Sequence, residues 1–548
     1  MTDQRSRCMV CVPRTLWLYA LLLACMTSLP YLASAIRTPA GWQYSGAAAV
    51  PNGAQVDYNS HMAKMWQGSR GQWDYRLLFT HESHAGIPLV QGFYVALGAL
   101  GRFAPLPVVY HLARFLLNIG VVLALWVFSA RFFDSPAERW LCVLFGTLVA
   151  GWSWLLLLVA PATTQQVAPI EFWLTDAFTL LGMFLMPHFS AAVILQITAF
   201  LAFERWVDAQ SPRLQAESLS VLMLALAAES IIQPYIVLLS IPLLIIRTAQ
   251  HLVSTRKLRI KRVPCLGIPL GVHAALVAYQ YVAMGSDPVW ANFTTQNITA
   301  SPDPLYYLLG YLPFILPILL GARRFLLDKA NDVWWLPVLW VLLVAALLYA
   351  PLPTQRRYLL GVQTPLAALA AYGWTRAVLP HFRQRHRGLL TGIYIVLAAI
   401  APFGLILANL SALARPHENA ALFYQPDELA GYAWLREHAA PDDVVLTTFD
   451  WTGNGSGGKL VAATGQRVFT GHWIETAHFD DKIAQVRRFY DPATSDDWRR
   501  DFLNDADVAY VWYDDNARAV GEWNPSSANY LEEVLRTDTV TVYRVIAE

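Results

Sequence analysis

The sequence predicts an α-helical polytopic membrane protein that ends in a soluble α/β domain. Of its 548 residues, 56% are hydrophobic and 14% are charged, whereas soluble globular proteins carry about 25% charged residues. From Arg415 onward there are 23 acidic and 12 basic residues, against 16 acidic and 28 basic residues before it. Long stretches without charge indicate a hydrocarbon environment, and the acidic C-terminal part indicates a separate, water-soluble region. This surplus of negative charge argues against nucleic-acid binding.

Apolar segments about twenty residues long, each bounded by charge or proline, are interpreted as membrane spans. The eleven predicted spans cover 15–36, 107–132, 138–160, 188–206, 217–232, 234–250, 264–284, 304–322, 333–350, 358–379 and 388–413. The first span follows several arginines and contains Ala33-Ser34-Ala35, a pattern typical of a cleaved signal peptide. Because its apolar stretch is long enough to cross a membrane, we expect a retained first helix.

Basic residues in the short loops set the expected orientation. The loop 247–262 carries six Lys or Arg residues and the loop 376–387 carries four, both without an acidic residue. These loops and the N-terminus are therefore expected on the cytoplasmic side of the membrane, and the acidic loop 285–303 on the outer side. Counting spans then places the long loop 37–106 and the C-terminal region outside. It also makes 87–103 an interfacial or re-entrant helix rather than a span.

Residues 1–414 are thus predicted to form a transmembrane domain, and residues 415–548 an extracytoplasmic soluble α/β domain. In the α/β domain, a helix is expected to begin at Pro426-Asp427-Glu428. Strands are expected at 443–449, 467–471, 508–513 and 539–545, and further helices near 478–489 and 495–504. All five cysteines precede this domain, so no disulfide is expected in it. The pair Cys8-x-x-Cys11 lacks the second pair that a metal or redox site would need.

The first of three outward stretches rich in polar residues is 57–84. Asp57 lies where a loop enters an amphipathic helix. As a helix cap, it would satisfy free amides at the helix start. At the mouth of an apolar cavity, it would act as a general base, because partial burial raises the pKa of a carboxylate. His81 and His84, with Glu82 between them, are a weak candidate for metal ligation.

The second stretch, 161–188, carries Glu171 and Asp176 without basic neighbours in sequence. A second carboxylate opposite the first is the arrangement expected for acid/base catalysis or for holding a cation. The alternative is an interfacial loop with an aromatic belt.

The third stretch, 351–357, carries Arg356 and Arg357 against the positive-inside trend. Guanidinium groups bind phosphate bidentately, so a lipid-linked phosphate or pyrophosphate is the expected ligand, with headgroup contact as the alternative. Within the spans, a charge such as Glu229 or Arg114 costs about 2.5–3.5 kcal/mol on insertion scales. Both residues are therefore expected to face protein or water.

The run from Gly453 to Lys459 has the spacing of a phosphate-binding loop. Leu460 replaces the Ser or Thr that would hold magnesium, and the domain is expected outside, away from ATP. A nucleotide site is therefore not expected, although a glycine-rich turn at a helix start could hold an anion.

This layout resembles the GT-C superfamily, membrane glycosyltransferases that use polyprenyl-phosphate sugars and include the protein mannosyltransferases and the lipid A aminoarabinose transferase. More closely, the chain looks like bacterial members of this superfamily, which implies location in a bacterial-type plasma membrane. The matching motifs are short and cover nearly the whole chain: Asp57-Tyr58-Asn59-Ser60-His61, Trp66-Gln67-Gly68, His81-Glu82-Ser83-His84, Tyr110-His111-Leu112-Ala113-Arg114, Glu171-Phe172-Trp173, Pro187-His188-Phe189, Gln233-Pro234-Tyr235, Gln296-Asn297, Tyr307-Leu308-Leu309-Gly310, Gln355-Arg356-Arg357-Tyr358, Trp434-Leu435-Arg436, Gly471-His472 and Tyr510-Val511-Trp512-Tyr513.

The resemblance implies transfer of a sugar from a polyprenyl-phosphate donor to an extracytoplasmic lipid, glycan or protein acceptor of the cell envelope. It implies Asp57 as the catalytic base, Asp176 or Glu171 as the second acid, and Arg356 and Arg357 on the donor phosphate. Five further residues are expected to bind substrate: Arg114, His81, Glu82, His84 and Tyr358. Where the family often has an Asp-Glu pair in the first loop, this chain has Asp57-Tyr58, so a metal-dependent scheme is not supported and no cofactor is expected.

Two alternatives belong to other functional classes. A transporter or flippase of lipid-linked glycans would move cargo through a polar cavity without reaction, but transporters usually show repeat symmetry, and this sequence shows none. A non-catalytic scaffold would bind glycan through the C-terminal domain. Both alternatives predict that the donor sugar is not released.

Overall fold

The computed structural model describes residues 12–50, 53–160, 168–253, 258–327, 332–419 and 421–546. The chain divides into two compact units. The first unit comprises Met1–Ser28, His111–Tyr279 and Ile298–Ile406, and the second comprises Leu29–Tyr110, Gln280–Asn297 and Leu407–Glu548. The predicted pair Cys8-x-x-Cys11 lies outside the described residues.

The part of the chain before residue 415 is almost entirely helical. Its α-helices are Arg14–Ile36, Ala54–Ser69, Gly92–Gly98, Leu106–Ser129, Pro136–Thr147, Leu156–Val159, Thr179–Leu185, Pro187–Asp208, Pro212–Ile232, Val237–Val253, Val263–Gly285, Pro288–Gln296, Pro304–Gly310, Leu312–Leu327, Trp335–Leu347, Gln363–Gly373, Gln384–Ala398 and Ile400–Ser411. Short 3-10 turns connect several of them. The predicted helical fold class is confirmed.

Within the described residues, six helices are long and apolar enough to cross a membrane. Two further pairs, Pro304–Gly310 with Leu312–Leu326 and Gln384–Ala398 with Ile400–Ala414, pass the same test together but bend by 78° and 51°. The count of candidate spans is thus six, or up to eight if each bent pair is one span. The chain is a multi-pass membrane protein, while the predicted number of eleven spans stays a prediction.

The predicted span 138–160 is wrong as a single helix. The helix Pro136–Thr147 ends early, and a 3-10 turn and one short helical turn follow from Ser153. The Gln363 side-chain amide donates to the carbonyls of Phe145 and Val149, at 2.8 Å each. It thereby satisfies oxygens that a longer helix would have used. A side chain 214 residues away in sequence thus takes over two acceptors at the helix end.

Two arginines of the first unit are paired with carboxylates. Arg247 is fully buried and donates to Glu204 at 2.8 Å and to Asp332 at 2.9 Å. Arg131 bonds Glu204 at 3.2 Å and Asp208 at 2.7 Å. A buried charge is tolerated when an opposite charge and hydrogen bonds compensate its lost hydration.

The second unit contains a five-stranded mixed sheet. Its strands, in spatial order, are Arg467–Val468, Val444–Leu446, Val508–Tyr513, Thr541–Val545 and Leu531–Arg536, of which the first three are parallel and the last two antiparallel to their neighbours. The helices around it are Pro426–His438, Ser456–Thr464, Phe479–Phe489, Asp496–Asp505 and Asp515–Val520. The predicted α/β fold of the C-terminal region is confirmed, while its solubility stays a prediction. The strand Leu531–Arg536 was not predicted, because its mostly exposed, charged sequence lacks the alternation of a half-buried strand.

The sheet is buried on both faces. Val444 and Leu446 belong to one apolar cluster, with Phe489 and Phe502, whereas Val445, between them, belongs to the other cluster. Side chains of neighbouring residues in a strand point to opposite faces of the sheet, so Val444 and Val445 pack in different apolar clusters. This explains the continuous apolar run of the strand.

The helix Ala54–Ser69 packs closely against Gly92–Gly98 at two glycines. A Cβ atom at Gly98 would lie 2.1 Å from the Met65 carbonyl oxygen, and one at Gly68 would lie 1.9 Å from that of Val95. Within the predicted interfacial segment 87–103, only Gly92–Gly98 is α-helical, followed by a 3-10 turn. Its placement at the membrane interface stays a prediction.

Gly98→Ala is expected to destabilise the protein by about 1–3 kcal/mol, because the added methyl group overlaps backbone atoms that cannot move away alone. The control is Gly271→Ala, where nothing lies within 4 Å of the added atom and alanine favours the helix. The thermal unfolding midpoint in detergent should fall only for Gly98→Ala. Equal midpoints for the two variants would contradict the close helix contact.

Candidate functional site

Asp57 lies in the second unit, one turn into the helix Ala54–Ser69. The cap position belongs to Gly53, whose φ of 88° is left-handed, and the Asp57 amide donates to the Gly53 carbonyl at 3.3 Å. The helix-cap interpretation of Asp57 is therefore wrong. Its partly buried carboxylate lies near enough to His472 to interact with it electrostatically.

A buried polar row continues from Asp57 along the same face of the helix. Lys64 Nζ donates to Glu475 Oε1 at 2.7 Å and to Ser60 Oγ at 2.5 Å. Ser60 donates to Glu475 at 2.5 Å, and the Tyr75 hydroxyl donates to the other Glu475 oxygen. The Lys64–Glu475 pair is almost inaccessible to water. Sequence reasoning missed Glu475 because it lies 411 residues from its partner.

The electrostatics of this row follow from burial and pairing. Burial raises the pKa of Glu475, but the charge of Lys64 and the hydrogen bonds from Lys64 and Ser60 outweigh this effect, so the pKa falls below its usual value. Burial lowers the pKa of His472, against the opposing carboxylates of Glu475 and Asp57. These shifts favour the carboxylate form of Glu475 and the uncharged form of the His472 imidazole.

The segment 80–84 is held by hydrogen bonds to its own side chains. His84 Nδ1–H donates to the Glu82 carbonyl at 2.8 Å, and its Nε2 accepts the Leu77 amide at 2.9 Å. Both ring nitrogens are thus engaged with the backbone, which leaves His84 no lone pair for a metal. The metal candidate of this segment is not supported. Across the described residues, no group of three or more His, Cys, Asp or Glu side chains could hold a metal ion.

Two buried cations of the C-terminal sheet region hold the same segment. Arg467 donates to the carbonyls of Thr80, His81 and Glu82, at 3.1, 2.8 and 3.1 Å. Lys482 donates to the Glu82 carboxylate at 2.7 Å and to Thr80 at 2.8 Å. Burial lowers the pKa of Lys482 to about 8, although Glu82 opposes it. Substrate-binding roles for His81, Glu82 and His84 stay predictions.

The first unit brings three of the predicted residues close together. Arg357 Nη1 lies 3.5 Å from Asp176 Oδ1, where the Asp176 side chain is 3% exposed and that of Arg357 is 24% exposed. The Arg356 guanidinium lies over the Trp173 indole, 5.3 Å from the ring centroid. One arginine is thus oriented by a carboxylate and the other by an aromatic face.

Asp176 lines a narrow cleft in the first unit. The cleft is mostly apolar and is formed by Val121, Thr175, Asp176, Ala177, Phe178, Thr179, Gly182, Met183, Phe189, Ser190, Val193, Leu360, Gly361 and Gln363. The carboxylate that contacts Arg357 thus lies against an apolar wall.

The arginine turn 355–359 is held rigidly within its unit. The Arg356 amide donates to the Thr299 carbonyl at 3.1 Å, and the Thr299 amide donates to Pro353 at 2.7 Å. Gln355 accepts the Ser301 amide at 2.9 Å. Tyr358 is buried, with its hydroxyl 3.3 Å from Thr354. A fixed backbone reduces the entropy that the arginines would lose on binding a ligand.

Glu171 has different surroundings from Asp176. It accepts from the Ser153 hydroxyl and from the Trp154 amide at 2.8 Å, and it is 1% exposed. Burial raises the pKa of Glu171, against these hydrogen bonds. Its oxygens hold the backbone turn at Ser153–Leu155, whereas Asp176 faces the cleft and an arginine.

Arg114 is fully buried in the first unit. It donates to the carbonyls of Thr27 and Met183 at 3.0 and 3.2 Å, and to Ser28 Oγ at 3.2 Å. These bonds join three helical segments and compensate its charge, as expected for an arginine within a span. A substrate-binding role for Arg114 stays a prediction.

The glycine-rich run 453–459 does not present its lysine as a phosphate-binding loop would. Lys459 Nζ donates to Glu428 at 2.5 Å, and this pair is buried. Ser456 bonds Thr448 at 2.9 Å. A lysine neutralised by a neighbouring carboxylate provides little attraction for a nucleotide phosphate.

Solved structures with a similar fold include membrane glycosyltransferases. No protein-family model matches this chain, and no curated protein matches it. The oligosaccharyltransferase of Archaeoglobus fulgidus, tethered to an acceptor peptide with an NVT sequon, matches with a TM-score of 0.51 at 12% identity, over 91% of this chain and 69% of that one. The archaeal oligosaccharyltransferase AglB from the same organism, in complex with an inhibitory peptide and a dolichol-phosphate, matches with a TM-score of 0.50 at 12% identity. This match covers 96% of this chain and 74% of that chain.

ArnT from Cupriavidus metallidurans in the apo state gives a TM-score of 0.49 at 12% identity, over 96% of this chain and 97% of that one. The two oligosaccharyltransferase matches confirm the GT-C-type fold expected from the sequence. At this identity the likeness concerns the fold, and function rests on the residues of the site.

His81→Gln is expected to make the free energy of unfolding depend less on pH between pH 6.5 and pH 4. Burial, with Lys482 and Arg467 nearby, lowers the pKa of His81 to about 4, against about 6.5 in an unfolded chain. Between these values the unfolded state binds more protons, so the free energy of unfolding falls as the pH drops from 6.5 to 4.

The measurement is the thermal midpoint of the full chain in detergent between pH 7 and pH 4.5. The control is the exposed His438, changed to Gln, which should keep the wild-type slope. A slope equally steep in His81→Gln and wild type would show that His81 titrates normally in the folded protein.

Proposed function

We propose that this chain is a membrane glycosyltransferase that moves a sugar from a polyprenyl-phosphate donor to an extracytoplasmic acceptor. The observation that carries the proposal is the arginine turn, in which Asp176 and Trp173 orient Arg357 and Arg356 beside an apolar cleft. A GT-C-type fold supports it, since a structure of that fold holds a dolichol-phosphate.

The reaction forms a bond between the acceptor atom and the anomeric carbon and breaks the bond from that carbon to the phosphate oxygen. The acceptor proton goes to Asp57, and the polyprenyl phosphate leaves with one more negative charge than it had in the donor. Positive charge at the leaving phosphate therefore stabilises the transition state more than the ground state. We assign this task to Arg357 and Arg356.

Asp57 suits the role of general base because its carboxylate is partly buried and is not used as the helix cap. Lys64 is neutralised by Glu475, so the nearest ammonium on the same helix face is already paired. We assign Asp176 as the residue that orients Arg357. For this reason we assign Asp176, rather than Glu171, as the second acidic residue of the site. Residues 415–548 are assigned to an extracytoplasmic domain, with the N-terminus in the cytoplasm.

Asp57→Asn is expected to lower turnover by about 10²–10⁴-fold, because the amide cannot accept the acceptor proton. The assay follows release of polyprenyl phosphate from a labelled polyprenyl-phospho-hexose by purified protein in nanodiscs, with a cell-envelope extract as the acceptor source. Asp74→Asn, at an exposed acid of the same unit, is the control and should keep wild-type turnover. Equal turnover of Asp57→Asn and wild type would exclude Asp57 as the base. Movement of the donor across the bilayer without release would indicate a transporter instead.

Arg357→Gln is expected to lower kcat/KM for the donor by about ten- to a hundredfold, since a charged hydrogen bond to phosphate contributes about 1.5–3 kcal/mol. Most of this loss should lie in kcat, because the leaving phosphate gains charge in the transition state. Arg323→Gln, at an exposed arginine of the same unit, should keep the wild-type kcat/KM. Initial rates over a range of donor concentrations give kcat and KM separately, and an unchanged kcat/KM in Arg357→Gln would remove this residue from the phosphate site.

A further inference from the structure

A group of four aromatic side chains, one exposed and three half-buried, lies on the second unit, and the proposed reaction leaves it without a role. We call Phe449, Trp451, Trp473 and Phe479 the aromatic patch. The Trp451 ring centroid lies 5.1 Å from Phe449, 5.9 Å from Trp473 and 6.0 Å from Phe479, and Phe449 and Phe479 are 4.9 Å apart. Trp451 itself is 60% exposed.

The loop that carries Trp451 is built to hold it outward. The Asp450 carboxylate accepts the Thr452 amide at 3.1 Å and the Thr452 hydroxyl, which forms a tight turn around Trp451. Gly453 follows with a φ of 83°, a conformation that glycine adopts without strain. Phe449, Trp473 and Phe479 fill the space beneath, so the indole is supported on one side and open on the other.

The rim of the aromatic patch is acidic. Asp450 lies before Trp451 in the loop, and Asp480 and Asp481 follow Phe479 in the first turn of its helix, both exposed. Carboxylates are strong acceptors for hydroxyl groups. Aromatic faces carry partial negative charge and attract the weakly positive C–H groups of an apolar ring face. The patch therefore offers one aromatic surface for stacking and several carboxylates that can accept hydrogen bonds from hydroxyl groups.

The aromatic patch flanks the helix that carries Asp57, within the second unit. A Cβ atom at Gly453, two residues after Trp451, would lie 2.6 Å from the Gln55 side chain. On the other side, Trp473 directly follows His472, which interacts electrostatically with Asp57. A ligand stacked on Trp451 would thus lie next to the helix of the proposed base.

We propose that the aromatic patch binds a pyranose ring of the acceptor, stacked on Trp451 with its hydroxyls directed to the acidic rim. This assignment rests on the proposed function and specifies its acceptor class: a glycan or glycolipid rather than an unglycosylated protein. A neutral, hydroxyl-rich ring matches both parts of the surface, the aromatic face and the carboxylates around it.

The competing occupant is the bilayer surface, because Trp473 also packs near Met284 at the end of a candidate span. Tryptophan is common at the membrane interface. The three carboxylates around the patch argue against the bilayer surface as its occupant. Anionic lipids would repel them, and they would lose hydration among the headgroups. The acidic rim therefore favours a sugar.

The test uses the full chain, labelled with 5-fluorotryptophan and placed in phosphatidylcholine nanodiscs. The ¹⁹F resonance that disappears in Trp451→Phe is that of Trp451. Trp73 is also 60% exposed in the same unit, and Trp73→Phe assigns it as the matched control. Methyl α-glucopyranoside, methyl α-mannopyranoside and methyl α-galactopyranoside are titrated separately, and polyprenyl-phosphate release is measured on the same preparations.

We expect at least one glycoside to shift the Trp451 resonance saturably at millimolar concentration without moving that of Trp73. Absence of any shift in a preparation that releases polyprenyl phosphate would overturn the sugar site and leave the proposed function intact. Broadening of Trp451 by doxyl-labelled phosphatidylcholine, without a glycoside shift, would assign the patch to the bilayer and also overturn it. A glycoside shift in a preparation that never releases polyprenyl phosphate would support the sugar site and contradict the proposed function.

Discussion

The buried ion pair between Lys64 and Glu475 is the constraint on which the second unit depends. It joins the helix Ala54–Ser69 to a segment 411 residues later, and Ser60 and Tyr75 complete its hydrogen bonds. Removing one partner of such a pair costs about 3–5 kcal/mol, since the other charge stays buried and uncompensated. The position of Asp57 follows from this pair, because the same helix carries both residues. The base role that we propose for Asp57 would thus require the C-terminal sheet region to be folded.

Compensation of buried charge organises the first unit in the same manner. Arg247 is paired with Glu204 and Asp332, and Arg114 donates to backbone carbonyls. Arg357 also contacts a carboxylate, at 3.5 Å, but the arginine side chain is partly exposed. Because Asp176 itself is buried, loss of Arg357 as its partner would leave its charge uncompensated. An anion at Arg357 would therefore have to bind with this ion pair intact.

Close backbone approach is the other recurrent feature, and glycine makes it feasible. Gly68 and Gly98 allow two helices of the second unit to touch, and in the first unit Gly373 approaches the Pro317 carbonyl, where a Cβ atom would lie 1.9 Å away. Small residues at such contacts increase van der Waals contact where hydrophobic driving force is weak. Gly98 of segment 87–103 serves this packing, rather than only interrupting a helix.

The sequence by itself determined the features that depend on local composition. Hydropathy indicated the multi-pass helical region, and short apolar runs indicated four of the five strands of the mixed sheet. An anion site at the paired arginines 356 and 357 stays a prediction. Only the tertiary structure decided that the helix after Pro136 stops at Thr147, that Gly53 caps the helix of Asp57, and that Asp176 rather than Glu171 faces an arginine. The physical reason is common to all three. Each depends on a hydrogen bond, an ion pair or a backbone conformation set by the folded chain, which periodicity and composition do not encode.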